Sequence, residues 1–168
     1  MLDRRSTITS LAALFAAAGG GLWPSRSDAQ GPRKTFEVTK TDEEWKRILT
    51  PEQYYVLRKH GTEYAGSSPL DKIYSPGMYN CAGCDLPLFS SETKYDSTTG
   101  WPSFWAPLDK AIGTTVDRTL WMTRTEVHCS RCGGHLGHVF DDGPKPTGLR
   151  YCMNGVALKF VPKSEKPS

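Results

Sequence analysis

Five cysteines carry most of the chemistry that this 168-residue sequence offers. Four of them form two Cys-x2-Cys pairs, Cys81 with Cys84 and Cys129 with Cys132. Two such pairs supply four thiolates for one tetrahedral ion, so the spacing predicts a zinc site with one Zn²⁺ per chain. Because four protein ligands leave no open coordination position, the predicted role of this zinc is structural rather than catalytic.

Disulfides are the alternative for the paired cysteines, because an exported protein can form them. However, neighbouring cysteines in a Cys-x2-Cys pair make a tight redox-type loop, and neither pair lies in the strand-to-helix setting of a thioredoxin motif. The 44 residues between the pairs indicate a clamp that joins two distant strands. We expect Gly83 in one pair, and Gly133 and Gly134 after the other, to let the backbone turn tightly around the metal. His128 could compete as a ligand, but we predict a surface role for it.

Cys152 lies outside both pairs. A leftover cysteine is often only a small buried hydrophobe, and this alternative stays open. Arg150 and Asn154 lie two residues before and after it, so in a strand they would share its face. A cation there can lower the pKa of a thiol, and Asn154 could orient a substrate. Cys152 is therefore the candidate nucleophile.

The first thirty residues resemble a processing segment rather than part of a fold. They contain the pair Arg4 and Arg5, an apolar run at 8–18 that is too short to span a bilayer, and small residues at 27–29 suited to signal-peptidase cleavage. The mature chain would then begin near Gln30. The paired arginines favour twin-arginine export, with Sec export or an uncleaved N-terminal membrane anchor as alternatives.

We therefore expect residues 1–29 to be a signal-like export segment and residues 30–168 to be one globular domain, long enough for a core of its own. We expect this domain to lie in the periplasm, without a stable membrane span after processing.

 The 38% hydrophobic and 23% charged residues of the sequence suit one soluble domain. Without the three arginines and two aspartates of the segment, 21 basic and 18 acidic side chains become 18 and 16, scattered along the chain. This balance gives no electrostatic footprint for nucleic acid.

Helix signals precede the first cysteine. Thr50 is a suitable N-cap, Pro51 takes the first helical position, Gln53 completes a capping box, and Gly61 provides a stop. These residues predict a helix over 51–59. A second short helix is predicted just before it, over 42–49.

From residue 77 onward the pattern predicts antiparallel β-strands. Short runs rich in Val, Thr, Tyr, Phe and Trp alternate with Gly, Pro, Asn and Asp. The expected fold class is mainly β with short N-terminal helices and a zinc clamp. The predicted strands cover residues 78–81, 114–116, 120–129, 135–140, 149–154 and 156–161.

Several segments together resemble the B-type peptide-methionine sulfoxide reductases, which reduce the R epimer of methionine sulfoxide in peptides and proteins. The likeness spans about residues 42–161. It rests on an Arg-Lys-His-Gly-Thr-Glu segment, a Gly-Trp-Pro-Ser-Phe segment, a His-Leu-Gly-His-Val-Phe segment and the residues around the cysteines. These segments lie at 58–63, 77–84, 94–104, 129–132, 135–140, 142–144 and 148–154.

The resemblance implies a fold of two antiparallel sheets, tent-like or barrel-like, and a zinc ion on the four paired cysteines. It also implies a catalytic group and a substrate pocket. The family's nucleophile corresponds to Cys152, and its proton-handling histidine resembles His138, with His135 nearby and Asn154 as a further catalytic-site residue. The residues expected to contact the substrate are Trp101, Arg150 and Phe140.

The chemistry suits these residues, because a thiolate can attack the sulfoxide sulfur while an acid protonates the departing oxygen. Cys152 would be left as a sulfenic acid. In a regular strand, His135 and His138 would face opposite sides, so only one should face the thiol unless Gly137 forms a bulge. We expect His138 to be that residue, on the strength of the resemblance.

The sequence departs from the family at two positions. Many members have a resolving cysteine where this chain has Thr99, so we expect an external thiol or dithiol protein, such as a thioredoxin-like protein, to reduce Cys152. Gly155 stands where the family usually has serine, and the sequence predicts no consequence. The expected partners are thus oxidised peptides or proteins and this reductant, and the chain is expected to be a monomer.

Two other functions remain open at this point. One is a non-enzymatic, zinc-stabilised β module in which Cys152 only packs. The other is a thiol peroxidase that uses the same cysteine.

Overall fold

The structure, a computed structural model, describes residues 35–119 and 122–164. The predicted export segment, residues 1–29, lies outside the described residues, as do the first two residues of the strand predicted to begin at 120. Within the part that is described, no helix is both long enough and apolar enough to cross a membrane.

Two short α-helices begin the described chain. Helix α1 spans Asp42–Ile48 and helix α2 spans Pro51–Lys59. Thr41 and Thr50 cap them, each accepting a hydrogen bond from the backbone N–H three residues on, and each capping box is complete. A side-chain N-cap of this kind stabilises a helix by about 1 kcal/mol. Both helices were predicted, and α2 has the predicted bounds.

Nine β-strands form the rest of the regular structure of residues 35–119 and 122–164. They are β1 (Gly77–Cys81), β2 (Pro87–Ser90), β3 (Lys94–Tyr95), β4 (Ser103–Phe104), β5 (Ile112–Asp117), β6 (Arg124–Cys129), β7 (His135–Phe140), β8 (Arg150–Met153) and β9 (Leu158–Pro162). Short 3-10 turns at Pro69–Lys72, Ser91–Thr93 and Gly155–Ala157 connect some of them.

In the described part of the chain, these strands make two antiparallel sheets. The first has three strands in the order β2-β1-β9, and the second has six in the order β3-β4-β8-β7-β6-β5. The predicted mainly β fold with two sheets is therefore confirmed. The sheets do not close into a barrel, because β3 and β5 remain at opposite edges of the larger one.

The core lies between the sheets and is rich in aromatic rings. Phe104 of β4 stacks on Phe89 of β2, with ring centroids 4.4 Å apart, and meets Tyr79 of β1 edge-on at 5.0 Å. All three side chains are fully buried. Such pairs contribute about 1 kcal/mol each beyond the apolar area they bury. Trp45 and Leu57 bring the two helices onto the same core.

Gly137 allows β7 to approach β8 closely at the centre of the larger sheet. It lies opposite Met153, and a Cβ at this position would collide with the backbone carbonyl of Cys152. Because the colliding atoms belong to the backbone of β8, a side chain at position 137 would force the two strands apart. The glycine thus fixes the spacing of the strands that carry His138 and Cys152.

Candidate active site and metal centre

The four paired cysteines converge on one point. Their Sγ atoms all lie within 4.8 Å of one another, with Cys81 and Cys132 3.7 Å apart and Cys84 and Cys129 3.5 Å apart. A tetrahedral ion with Zn–S bonds of about 2.3 Å places its sulfurs about 3.8 Å apart. A disulfide would need about 2.05 Å, so these cysteines are free thiols that fit a metal.

Crowding of the sulfurs is a second argument for a cation. Hydrogen bonds with the neighbouring thiols raise the pKa of Cys81, and Cys129 contributes most to this rise. The hydrogen bonds that Cys129 itself receives from the other thiols lower the pKa of Cys129. One thiolate in the cluster therefore opposes ionisation of the next, because like charges at this separation repel strongly. A divalent cation removes that repulsion and allows all four to ionise.

The two cysteine loops have the same backbone pattern. Cys81 accepts a hydrogen bond from Asp85 N–H, and Cys129 accepts one from Gly133 N–H, each at 2.9 Å. Asp85 and Gly133 occupy equivalent places with left-handed φ angles of 58° and 68°. Gly83 has no positive φ, and a Cβ there would make only ordinary contacts. The tight turn predicted to depend on Gly83 therefore depends on Asp85 instead.

His128 is buried, so the surface role predicted for it is wrong. Only 6% of it is exposed, and its ring meets Phe36 edge-on at 5.8 Å. It is not part of the cysteine cluster. The sequence offered no sign of this burial, because the covering residue comes from the segment before α1.

Cys152 lies in the middle of the larger sheet, directly opposite His138 of β7 and Ser103 of β4. Residues directly opposite in an antiparallel pair share a face, with Cβ atoms about 5 Å apart. The register of these two consecutive strands thus brings together the predicted nucleophile and the predicted proton carrier.

A small cavity of about 140 Å³ opens at Cys152. Of the residues that were predicted for the site, it is lined by Cys152, His138, Asn154, Trp101 and Phe140. Neither His135 nor Arg150 lines it.

Three further residues line the same cavity and were not predicted as site residues: Thr62, Arg124 and Gly137. Thr62 and Gly137 fall within segments that carried the resemblance, whereas no motif marked Arg124. Its position in the cavity depends on where β6 lies beside β7.

A bulge places both histidines of β7 on one face. Val127 pairs with Gly137 and His128 pairs with His135, so Leu136 is an extra residue on β7. The rings of His135 and His138 consequently meet at 5.4 Å. A bulge in β7 was expected at Gly137, and the extra residue is the neighbouring Leu136. His135 lines a neighbouring cavity rather than that of Cys152.

Each histidine is held by its own carboxylate. Asp117 of β5 lies 2.9 Å from His138 Nε2, and Glu126 of β6 lies 2.7 Å from His135 Nδ1. Burial lowers the pKa of His138, although the Asp117 carboxylate opposes this shift. His138 is therefore mostly neutral near pH 7, oriented by Asp117.

Burial also raises the pKa of the Cys152 thiol above its ordinary value. The Thr99 hydroxyl, 3.9 Å from Sγ, and the Arg150 charge lower the pKa of this thiol, but they do not outweigh burial. Arg150 therefore lowers the pKa of this thiol, as expected, but burial outweighs its effect. Asp142 binds the Arg150 guanidinium through two hydrogen bonds of 2.8 Å.

The polar groups of Arg150 and Asn154 are bound by other groups of the protein and hold neighbouring residues in place. Arg150 lies over the Phe140 ring at 4.3 Å and so holds one wall of the cavity. The Asn154 side chain accepts a hydrogen bond from Glu63 N–H and donates one to the Leu136 carbonyl. It therefore fixes the loop at Glu63 against β7.

Glu63 organises the other side of the cavity. Its carboxylate accepts hydrogen bonds from the backbone N–H groups of Gly155 and Val156, and its carbonyl accepts one from Trp101 Nε1. A Cβ on Gly155 would collide with the Ser68 side chain. Gly155, for which the sequence predicted no consequence, therefore makes room for Ser68.

The chain is similar to proteins of one family over most of its length. Residues 49–162 match the SelR domain. A peptide methionine sulfoxide reductase MsrB from Leptospira interrogans is 56% identical over 126 residues, which cover 74% of this chain and 96% of that protein. A protein of the same name from Agrobacterium fabrum is 50% identical over 137 residues, covering 81% and 98%. The chloroplastic peptide methionine sulfoxide reductase B1 of Arabidopsis thaliana is 49% identical over 138 residues, covering 82% and 68%.

The two-sheet fold, a four-cysteine cluster that could hold a metal ion and the Cys152–His138 pair together suit an oxidoreductase. With the SelR match and these relatives, the class narrows to one family. The chain belongs to the B-type methionine sulfoxide reductases, as its sequence segments predicted.

The environment of Cys152 makes its reactivity testable before any substrate is added. In zinc-loaded protein, we expect the rate of Cys152 alkylation by iodoacetamide to rise with pH through a midpoint above that of free cysteine, about 8.5. Thr99→Val should move the midpoint higher still, because it removes a hydrogen bond that favours the thiolate. Mass spectrometry of the Cys152 peptide gives the rates, and a midpoint below that of free cysteine would contradict the burial argument.

Proposed function

We propose that this protein reduces the R epimer of methionine sulfoxide in peptides and proteins, with Cys152 as nucleophile and His138 as proton carrier. The observation that carries this proposal is the direct cross-strand pairing of Cys152 with His138 in a small cavity. The relatives named peptide methionine sulfoxide reductase support the substrate class.

The size and lining of the cavity suit the end of one side chain. A volume of about 140 Å³ is well below the roughly 300 Å³ or more of sites that enclose whole small molecules. The methyl and sulfur of methionine sulfoxide would lie against Trp101 and Phe140, and the peptide would remain outside. This arrangement favours oxidised peptides and proteins over larger free ligands.

In the first step, Cys152 attacks the sulfoxide sulfur. With Nε2 of His138 bound to Asp117, Nδ1 is the nitrogen that takes the thiol proton and passes it to the sulfoxide oxygen. The oxygen moves from the substrate sulfur to Cys152, which becomes a sulfenic acid, and methionine leaves. The substrate sulfur is reduced by two electrons and Cys152 is oxidised by two, so the step balances.

In the second step, an external thiol restores Cys152. A first thiol attacks the sulfenic acid and releases water, and a second attacks the mixed disulfide to free Cys152. Thr99 lies beside Cys152 and offers a hydroxyl, so it cannot serve as a resolving thiol. A dithiol protein of the thioredoxin type suits this reaction because it supplies both thiols.

The four paired cysteines would hold one Zn²⁺, which would cross-link the two sheets. Cys81 ends β1 of the smaller sheet and Cys129 ends β6 of the larger one. A zinc ion closed in by four sulfurs contributes folding free energy rather than chemistry.

We also propose export to the periplasm and a monomeric state. The export proposal rests on Arg4 and Arg5 and on the apolar run that follows them, with an N-terminal membrane anchor as the alternative. Twin-arginine export carries folded protein, so the four thiolates would already be bound to metal when the chain enters an oxidising compartment.

Separate R and S epimers of a methionine sulfoxide peptide test the proposed activity. With dithiothreitol as reductant, we expect reduction of the R epimer only, loss of activity in Cys152→Ser, and a fall in kcat/KM of about 10²- to 10⁴-fold in His138→Gln. Activity on both epimers, or full activity in Cys152→Ser, would contradict the proposal. Turnover of hydrogen peroxide without sulfoxide reduction would indicate a peroxidase instead.

The one-cysteine cycle has its own test. After a single turnover without reductant, we expect dimedone to label Cys152 and mass spectrometry of the non-reduced protein to find no disulfide to this residue. Thr99→Cys is the informative comparison, because it places a thiol beside Cys152 and should convert the product to an intramolecular disulfide. A Cys152 disulfide in the unmodified chain would refute the cycle.

The zinc proposal predicts one tightly held Zn²⁺ per chain by metal analysis. Cys84→Ser should abolish this stoichiometry and lower the melting temperature by 10 °C or more, since a structural zinc contributes on the order of 10 kcal/mol. Cys152→Ser serves as the matched control, with unchanged metal content. A metal-free wild-type protein that melts at the same temperature would contradict the structural role.

A further inference from the structure

A second group of ligand side chains lies in the cavity next to that of Cys152. His60, Glu126 and His135 each offer one ligand atom, and these atoms all lie within 4.8 Å of one another. They come from three separate elements: the C-terminal cap of α2, strand β6 and strand β7. The group shares no residue with the cysteine cluster.

The contacts within this group bring its ligand atoms nearly to the separation that an ion requires. Glu126 Oε1 lies 2.7 Å from His135 Nδ1 and 2.9 Å from His60 Nδ1. Ligands about 2.1 Å from a tetrahedral ion lie about 3.4 Å apart, so Glu126 Oε1 needs to separate from the two nitrogens by about 0.5 to 0.7 Å. His60 can move, because 64% of its side chain is exposed.

His135 has a ring nitrogen that could bind an ion. Its side chain is 2% exposed, and its second ring nitrogen, Nε2, has no hydrogen-bond partner among the described residues. Buried polar atoms are nearly always satisfied, so the described residues leave this ring incompletely satisfied. The Nε2 lone pair points away from Nδ1, so an ion shared with Glu126 and His60 would bind Nδ1 in place of the hydrogen bond between Nδ1 and Glu126.

The cavity has room and charge for an ion. Its volume is about 500 Å³, which leaves space for water at the remaining coordination positions. Of the lysine and arginine side chains that line it, Lys59 binds Asp42 at 2.9 Å and Arg124 binds Asp117 at 2.7 Å, and Arg118 is the third. Among the described residues, the Glu126 carboxylate forms its ion pairs with His60 and His135.

We propose that His60, Glu126 and His135 form a second, open metal site that binds one divalent transition-metal ion, with Zn²⁺ as the expected occupant. Two imidazoles and one carboxylate are a ligand set suited to Zn²⁺ with open positions for water, and unsuited to Mg²⁺ or Ca²⁺. This inference does not rest on the proposed reductase activity.

Calorimetric titration with Zn²⁺ tests the site. The protein is first loaded with one equivalent of Zn²⁺ for the cysteine cluster and carries Cys152→Ser, so that no free thiol competes. We expect one further Zn²⁺ to bind, and His60→Asn to weaken that binding at least tenfold. Asn tolerates the left-handed φ of 56° at this position, so the variant should keep its fold.

Two more variants locate the ion. Glu126→Gln should weaken binding by at least tenfold while the melting temperature verifies folding, whereas Asp117→Asn should change the affinity by less than about threefold. No uptake beyond the first ion would overturn the proposal, as would unchanged affinity in His60→Asn. A loss in Asp117→Asn as large as that in His60→Asn would also overturn it, because the ion would then lie on Asp117 and His138.

Discussion

Four cysteine sulfurs hold the ends of two separate sheets within a few ångströms of one another, and the remaining structure depends on this junction. Cys81 closes a strand of the smaller sheet and Cys129 closes a strand of the larger one. Because β7 pairs with β6 and β8 pairs with β7, the strands that carry the active site follow from where β6 is fixed. A cation at the junction would turn the repulsion of four thiolates into the strongest link between the sheets.

Within the larger sheet, two local features of strand β7 bring the candidate active-site residues together. Gly137 lets β7 and β8 approach, so His138 lies directly opposite Cys152. The extra residue Leu136 rotates His135 onto the same face as His138, which a regular strand would prevent. One strand thereby supplies a histidine to each of two adjacent cavities, each held by its own carboxylate.

Local signals predicted much of the fold and of the metal centre. The start of α2 follows from Thr50 and Pro51, although its C-terminal cap is His60 rather than the predicted Gly61. The cysteine cluster follows from spacing alone. Strands β3 and β4, with two residues each, are too short to show any periodicity. They were therefore missed, although β4 lies next to Cys152.

The carboxylates that bind the two histidines of β7 were not predicted either, and the reason is different. Asp117 is 21 residues from His138, and its role depends on β5 lying beside β6. The burial of Cys152 depends likewise on packing between elements. The sequence placed a cation two residues away and suggested an acidic thiol, but it could not show that Asp142 binds this cation.

The pKa shifts of Cys152 and His138 affect which reagents can react with the thiol. Burial raises the pKa of Cys152 and lowers that of His138, so both shifts favour a neutral thiol beside a neutral imidazole. A thiol in this state reacts slowly with general oxidants and alkylating agents, because the thiolate is the nucleophile. In the proposed mechanism, a bound sulfoxide would change the balance, since its oxygen would accept the proton that His138 takes from the thiol. The burial that disfavours the Cys152 thiolate at rest would then couple its ionisation to the arrival of a substrate that can take up the proton.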